Sequence, residues 1–278
     1  MRRLLNQLIQ LQELYFALDE HRLSLNNGRC SELEHDIATL ISKLPDDKAE
    51  LFLKLHSRSA PAIAPAVDGT CYGCGIDLPT YMNPEILRCE DIYQCPSCAR
   101  FLYPYSGEKL GLKPGRLGKQ LPRLGIDKFS SERLMLPHLE GNDPESILAE
   151  LSRTVAEELD FPHPDRLLER ALEREGIIST ALAHGLAFPH VRGFDGGSLS
   201  LAVGVRKKGI KFGAPSNRLT RIFFFAVIPL ASSAFYLKLL AGLAESFREK
   251  DARDELLRCE EPKDLWKALK KATRKYIA

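Results

Sequence analysis

Apolar residues recur in steps of four and three along the first stretch of the chain: Leu4, Leu8, Leu11, Tyr15, Leu18 and, after a gap filled by Arg22, Leu25. That spacing keeps one side of an α-helix apolar, in a heptad-like stripe. Asn26-Asn27-Gly28 breaks it, because Asn and Gly tolerate positive φ. A second stripe, Leu33, Ile37, Leu40 and Leu44, runs up to Pro45, and Asp46 or Asp47 can start a short third helix through Leu51, Phe52 and Leu55. The pattern predicts a helical hairpin over 1–58 whose two stripes bury each other. A dimerising coiled coil would need a longer seam.

Periodicity then stops. SAPAIAPAVDG (59–69) has no hydrophobic period and predicts an extended Ala/Pro linker at 59–68. A cysteine-rich segment occupies 69–105. After it, a linker at 106–127 carries, across 106–125, Lys109, Lys113, Arg116, Lys119 and Arg123 against Glu108 alone, with enough Gly and Pro to predict a flexible basic tether.

From 128 to 278 helical and strand patterns interleave, which predicts an α/β (α+β) domain. Asp143-Pro144 is a helix start, an N-cap followed by proline at the first helical position, for Ile147, Leu148, Leu151, Val155 and Leu159. A second helix runs from about Pro164 to Arg174, with Leu167, Leu168, Ala171 and Leu172 inward. Strand signals follow at 186–188, 198–205 and 220–228. Two more helices carry Phe235, Leu239, Leu243 and Phe247, then, from Pro262, Leu265, Trp266 and Leu269.

Composition adds bounds. The chain has 278 residues, 44% hydrophobic and 27% charged, as in globular proteins with a real core. A formal charge of +2 gives no global argument for nucleic acid or an anionic membrane. Polar residues from Asn6 to Glu13 interrupt any signal-peptide core, and the apolar run at 222–230 is far too short for a membrane helix. The expectation is a cytoplasmic protein without membrane insertion.

Five of the seven cysteines crowd between Cys71 and Cys98. Cys71-Tyr-Gly-Cys74 and Cys95-Pro-Ser-Cys98 are two C-x-x-C pairs, each able to curl so that two thiolates aim at one point. Together they predict one structural zinc ion on Cys71, Cys74, Cys95 and Cys98, stapling a segment too short for a core of its own. Cys89 is spare. The ribbon carries Asp77, Glu85, Glu90 and Asp91 against Arg88 and Arg100, so it lacks the clustered cations that phosphate neutralisation needs. Nucleic acid is not an expected partner. A helical hairpin leading into C-x-x-C and then CPSCARFLY resembles the bacterial C4-type zinc-ribbon proteins. The likeness covers roughly the first 105 residues and implies no biochemical role.

The stretch HGLAFPHVRG (184–193) raises a different chemistry. A neutral imidazole is nucleophilic near pH 7. To accept a phosphoryl group it needs one ring nitrogen exposed to the donor, the other hydrogen-bonded, and arginine for the oxygens. Pro189 stiffens the approach to His190, Gly193, Gly196 and Gly197 let the chain turn away, and Arg192 is close in sequence. LEREGIISTALAHGLAFPHVR resembles the type-2 enzyme IIA domains of the bacterial phosphotransferase system, of the mannitol/fructose and nitrogen-regulatory kind. Arg174-Glu175, Ser179-Thr180, Gly185 and Pro189-His190 carry the likeness, extended by KKGIKFGAP (207–215), Val227-Ile228-Pro229 and YLKLLAGLA (236–244).

The resemblance implies a mixed sheet with helices on both faces and His190 as acceptor of phosphate from the small phosphocarrier protein. It implies that Arg174 orients the phosphate, with Thr180 and Arg192 as further candidates. Where the family has a second histidine this chain has Tyr236, which can donate a hydrogen bond but cannot become a cation near neutral pH. His184 is a substitute only if it reaches the site. The expected function is a phosphoryl-accepting component that regulates a target protein or serves an enzyme IIB, rather than transporting sugar. The alternative is a non-catalytic protein-interaction module with the same fold.

Overall fold

The computed structural model describes residues 2–23, 30–104, 125–194, 199–214, 218–229 and 233–277. Expectations placed on Leu25, on Asn26-Asn27-Gly28, on the basic segment across 105–124, and on Gly196 and Gly197 lie outside those residues. The chain divides into two units, Met1–Asp19 with Arg29–Ser106, and Glu20–Gly28 with Gly107–Ala278.

Three helices open the first unit: α1 (Arg2–Leu23), whose last turn belongs to the second unit, α2 (Cys30–Ile41) and α3 (Asp46–Ser59). Asp46 and Asp47 sit in the first turn of α3, where the helix dipole favours negative charge. α2 buries Leu33, Ile37 and Leu40 of the expected stripe. On α1 the buried set is wider than one heptad seam: Leu8, Leu11 and Leu18 are buried, but so are Leu5, Leu14, Phe16 and Ala17. Tyr15 stacks on Phe52 of α3 with ring centroids 5.9 Å apart, so α1 packs on the third helix too.

The expected linker at 59–68 is corrected by the structure. Residues 63–67 form β1 (Ile63–Val67), every residue of it buried. With β2 (Thr70–Cys71), β3 (Tyr93–Gln94) and β4 (Phe101–Pro104) it builds a sheet in the order β2-β1-β4-β3, β1 running parallel to β4. A short helix, α4 (Met82–Arg88), lies between β2 and β3. The sequence signal failed for a physical reason: alanine and proline have small side chains that show no period, and Pro65 offers the ladder no donor. Its carbonyl still accepts from Tyr72 N–H, and Ala62 N–H donates to Gln12 Oε1 of α1 at 2.6 Å. The boundaries expected at 58 and 68 therefore fall inside one unit.

The second unit carries β5 (Met135–Leu136), α5 (Pro144–Glu158), α6 (Pro164–Ile177), β6 (Leu186–Ala187), β7 (His190–Phe194), β8 (Ser200–Ile210), β9 (Thr220–Pro229), α7 (Ser233–Ser246), α8 (Lys250–Arg258) and α9 (Pro262–Thr273). Asp143 caps α5 in a reciprocal capping box with Ser146, and Pro144 follows at the first helical position. Charged α8 gave no sequence signal, because among its residues only Leu256 is fully buried.

The sheet is mixed, in the order β5-β8-β9-β6, with β7 also on β9. β8 and β9 are antiparallel; β5 runs parallel to β8, and β6 and β7 run parallel to β9. Residues 200–205 and 222–229 are buried without alternation, which requires cover on both faces. The register says what covers them. Gly204 pairs with Phe223, and a Cβ at Gly204 would meet Leu151 of α5 at 3.1 Å. One residue along, Val203 pairs with Phe224, whose ring lies 5.0 Å from that of Phe247, the residue directly after α7. Successive residues point to opposite faces, so α5 and α7 cover opposite sides.

Candidate functional site

His190 opens β7, a continuation of the line begun by β6 after the Phe188-Pro189 interruption. The backbone before it is held: Phe188 N–H donates to Thr180 O at 3.1 Å, and Ala226 N–H donates to Pro189 O at 3.0 Å. His190 is only 1% exposed.

Each ring nitrogen has a defined partner. Arg174 Nε–H donates to His190 Nε2 at 3.1 Å, so Nε2 carries the lone pair. Nδ1 therefore holds the proton, facing Phe188 O at 3.1 Å and the Tyr236 hydroxyl oxygen, also at 3.1 Å. Arg174 comes from the last turn of α6, where a second nitrogen donates to Ile178 O at 2.9 Å, anchoring the guanidinium at the helix end. Arg192 lies two residues after His190 on the same strand, hence on the same side, with its guanidinium 5.2 Å from the Tyr236 ring centre.

Between these cations sits Glu20, of the second unit. Its carboxylate accepts from Arg174 at 2.8 Å and from Arg192, and its Oε1 lies 3.3 Å from His190 Nε2. The site thus gathers His190, Arg174, Arg192 and Tyr236 and adds an acid that the sequence reading missed. Nothing local marks Glu20: it is one charged residue among several on a long helix. Thr180 is not brought to the imidazole. Its N–H and hydroxyl both donate to Glu175, at 2.8 and 2.7 Å, fixing the turn after α6. His184, at φ 66° in a 3-10 turn, has Arg253 and Arg218 as charged neighbours and makes no described contact with His190.

Burial dominates the electrostatics. It draws His190 down to about 3 although Glu20 opposes the shift; Arg174 and Arg192 add to it. Burial would raise Glu20, but His190, Arg174 and Arg192 outweigh it and hold the carboxyl at about 2. Burial also pushes Tyr236 well above the ordinary phenol range, so it remains a neutral hydroxyl. At neutral pH the site holds a neutral imidazole, a carboxylate and two guanidinium groups.

His190 and Glu20 make stability depend on pH. Unfolded, the two groups take up protons near their ordinary values of 6.5 and 4.5; folded, only near 3 and 2. Between these limits the unfolded state binds more protons, so stability is complete above about pH 6.5 and falls as pH is lowered. The slope reaches about 1.4 kcal/mol per pH unit for each proton. Urea titrations at pH 7 and pH 5 isolate the histidine: wild type is expected to lose more stability across that interval than His190→Gln.

The four cysteines form a second centre, in the first unit. Their sulfurs all lie within 4.8 Å of one another. Cys71 and Cys98 are 3.9 Å apart, Cys74 and Cys95 3.6 Å. A tetrahedral S₄ site with metal–sulfur bonds of about 2.3 Å has edges of about 3.8 Å, so the set fits a zinc-sized ion. The two turns match in detail. Gly75 N–H donates to Cys71 O at 2.7 Å and Ala99 N–H to Cys95 O at 2.9 Å, with left-handed φ of 76° and 61° at the two donors. Gly73 lets Arg100 lie close, since a Cβ there would stand 2.6 Å from the Arg100 side chain. Cys89 is outside the group: it ends α4 in a left-handed conformation and its thiol donates to Ile86 O.

Residues 128–272 match the model of the family described as "Phosphoenolpyruvate-dependent sugar phosphotransferase system, EIIA 2". The "PTS system fructose-specific EIIA component" of Haloferax volcanii is 29% identical over 96 residues, 34% of this chain and 62% of that protein. The chain thus spans less than two thirds of that relative's length. The "Nitrogen regulatory protein" of Pseudomonas aeruginosa is 27% identical over 121 residues, 44% of this chain and 79% of its own. The crystal structure of nitrogen regulatory protein IIA-Ntr from Neisseria meningitidis aligns with a TM-score of 0.47 at 22% identity, over 51% of this chain and 96% of that one.

Proposed function

We propose a function from one premise: this chain belongs to the phosphoenolpyruvate-dependent sugar phosphotransferase system EIIA 2 family. His190 accepts a phosphoryl group on Nε2 from the phosphocarrier protein, and the phosphorylated domain acts on a regulated protein or an enzyme IIB. One observation carries the reading: Nε2 holds a lone pair beside two arginines while Nδ1–H faces the Phe188 carbonyl.

In the transfer, Arg174 Nε–H leaves Nε2 for a phosphoryl oxygen, and the freed lone pair forms the new bond to phosphorus as the bond from phosphorus to the carrier breaks. The carrier's leaving atom keeps that electron pair. The imidazole becomes cationic, and Phe188 O, accepting from Nδ1–H, stabilises it. Arg174 and Arg192 neutralise the phosphoryl oxygens as charge spreads over them. Tyr236 adds a hydroxyl but no second imidazole, so onward transfer has less acid–base help here. A regulatory role is supported by likeness to a protein named for nitrogen regulation, and by the added charge of about −2 that phosphorylation brings near neutral pH.

Cys71, Cys74, Cys95 and Cys98 hold one zinc ion, a structural centre that supplies folding energy rather than chemistry. Among the described residues no helix is long and apolar enough to cross a membrane.

A second reading, a protein-interaction module without phosphotransfer, is favoured by Tyr236 alone. One assay separates the two: enzyme I, the phosphocarrier protein and labelled phosphoenolpyruvate, applied to wild type and His190→Ala. Acid-labile label on wild type and none on His190→Ala is the expected result. No label on wild type, when a control enzyme IIA labels, would leave the interaction module.

A further inference from the structure

We propose that Glu20 occupies the phosphoryl position of the site, so that its carboxylate and a phosphoryl group on His190 exclude each other. The inference rests on His190 being the acceptor and adds how that acceptor is controlled.

The geometry is that of a bound oxyanion. One carboxylate oxygen meets Arg174 at 2.8 Å, and the other meets Arg192 while lying 3.3 Å from Nε2. A phosphorus bonded to Nε2 would direct its oxygens at the same two guanidinium groups, into space that Oε1 already fills. The Glu20 side chain is only 9% exposed, so a donor protein cannot approach this face of the imidazole past it. Charge fits the substitution as well as shape. A carboxylate offers two arginines one negative charge, a phosphoryl group about two and three acceptor oxygens. The dianion therefore wins the pair once transferred, and the carboxylate holds it before. Arg174 Nε stays on Nε2 with Glu20 in place, so the nucleophile keeps its tautomer while it is covered.

Two consequences follow. Phosphorylation draws on the fraction of molecules in which Glu20 has swung out, and its apparent rate is reduced by that fraction. Once formed, phosphohistidine expels Glu20 from between the arginines, so the chain at Glu20–Leu23 changes surroundings with the state of His190. A purely structural counterion would do neither: its loss would weaken the fold and leave phosphorylation no faster.

The test uses the full chain as wild type, Glu20→Ala and, if alanine does not fold, Glu20→Gln, whose neutral amide keeps the bulk but no longer competes as an anion for the two arginines. Initial labelling of His190 by the phosphocarrier is expected to be at least about tenfold faster in the variants. In parallel, inorganic phosphate is titrated while thermal unfolding is followed. The variants are expected to gain melting temperature with phosphate and wild type to gain little, since only in the variants are the two arginines without a competing carboxylate. Equal or slower labelling in folded variants, or no gain with phosphate, overturns the inference. If no protein is labelled yet the variants alone respond to phosphate, Glu20 is the occupant and the phosphotransfer reading fails instead.

Discussion

Chelating a metal held by the four cysteines is expected to unfold the cysteine-bearing edges of the four-stranded sheet, β2 and β3 with their turns. Those edges have little else to hold them. β2 and β3 are two residues long, and two of the eight side chains in the buried cluster around them, Cys71 and Cys95, are themselves members of the four-sulfur group. Without an ion, burial raises the thiols of both, and four sulfurs remain packed within 4.8 Å with nothing at their centre. Apparent zinc affinities of comparable sites correspond to about 10–16 kcal/mol, as large as the whole stability of an ordinary domain. Metal analysis is expected to give one ion per chain. Amide exchange across 70–100 is expected to become unprotected on chelation. Cys95→Ser should abolish both metal and protection, whereas Cys89→Ser should keep both, because Cys89 caps a helix and ligates nothing. Retained protection after complete metal removal would refute the structural role.

Replacing Arg174 by alanine is expected to slow labelling of His190 by about 10²–10³-fold, the scale for deleting one preorganised donor to a developing charge. Arg174 has three simultaneous duties. It donates to Nε2 and thereby sets the tautomer, it anchors itself on Ile178 O, and it holds an oxyanion. Lysine cannot replace it, because an ammonium lacks the planar fork that serves three acceptors in fixed directions. The single variant leaves the Glu20 carboxylate buried against Arg192 alone, which also weakens the fold. Labelling is therefore compared with that of Arg174→Ala/Glu20→Ala, in which the stranded charge is gone. If Arg174 acts on the transferred group, the double variant stays slow. Recovery to the rate of Glu20→Ala would mean that Arg174 only balances Glu20.

Much of the fold is legible in the chain itself, for reasons of short range. Asp143-Pro144 specifies a helix start because cap and proline act within one turn. The paired C-x-x-C turns specify a four-sulfur group that could hold a metal ion, because four residues suffice to aim two sulfurs. The set running from Arg174 to His190 identifies the family, and the structure brings the two side chains into contact. Other features carried no local signal. The Ala/Pro segment reads as a tether, and only pairing with β4, more than thirty residues on, makes it a strand. Thr180 reads as a candidate at the site, but its hydroxyl turns to Glu175, a choice made by side-chain geometry within the turn.

Glu20 is the extreme case, bonded to Arg174 across 154 positions and to Arg192 across 172. The sequence by itself determined the helices that carry an apolar stripe, the long strands of the larger unit, that four sulfurs converge and which family that unit belongs to. Only the tertiary structure decided which nitrogen of His190 holds the proton and what fills the space beside the other. Periodicity, caps and turns are set by neighbours along the chain, whereas the partner of a buried charge is set by whatever the fold carries to it.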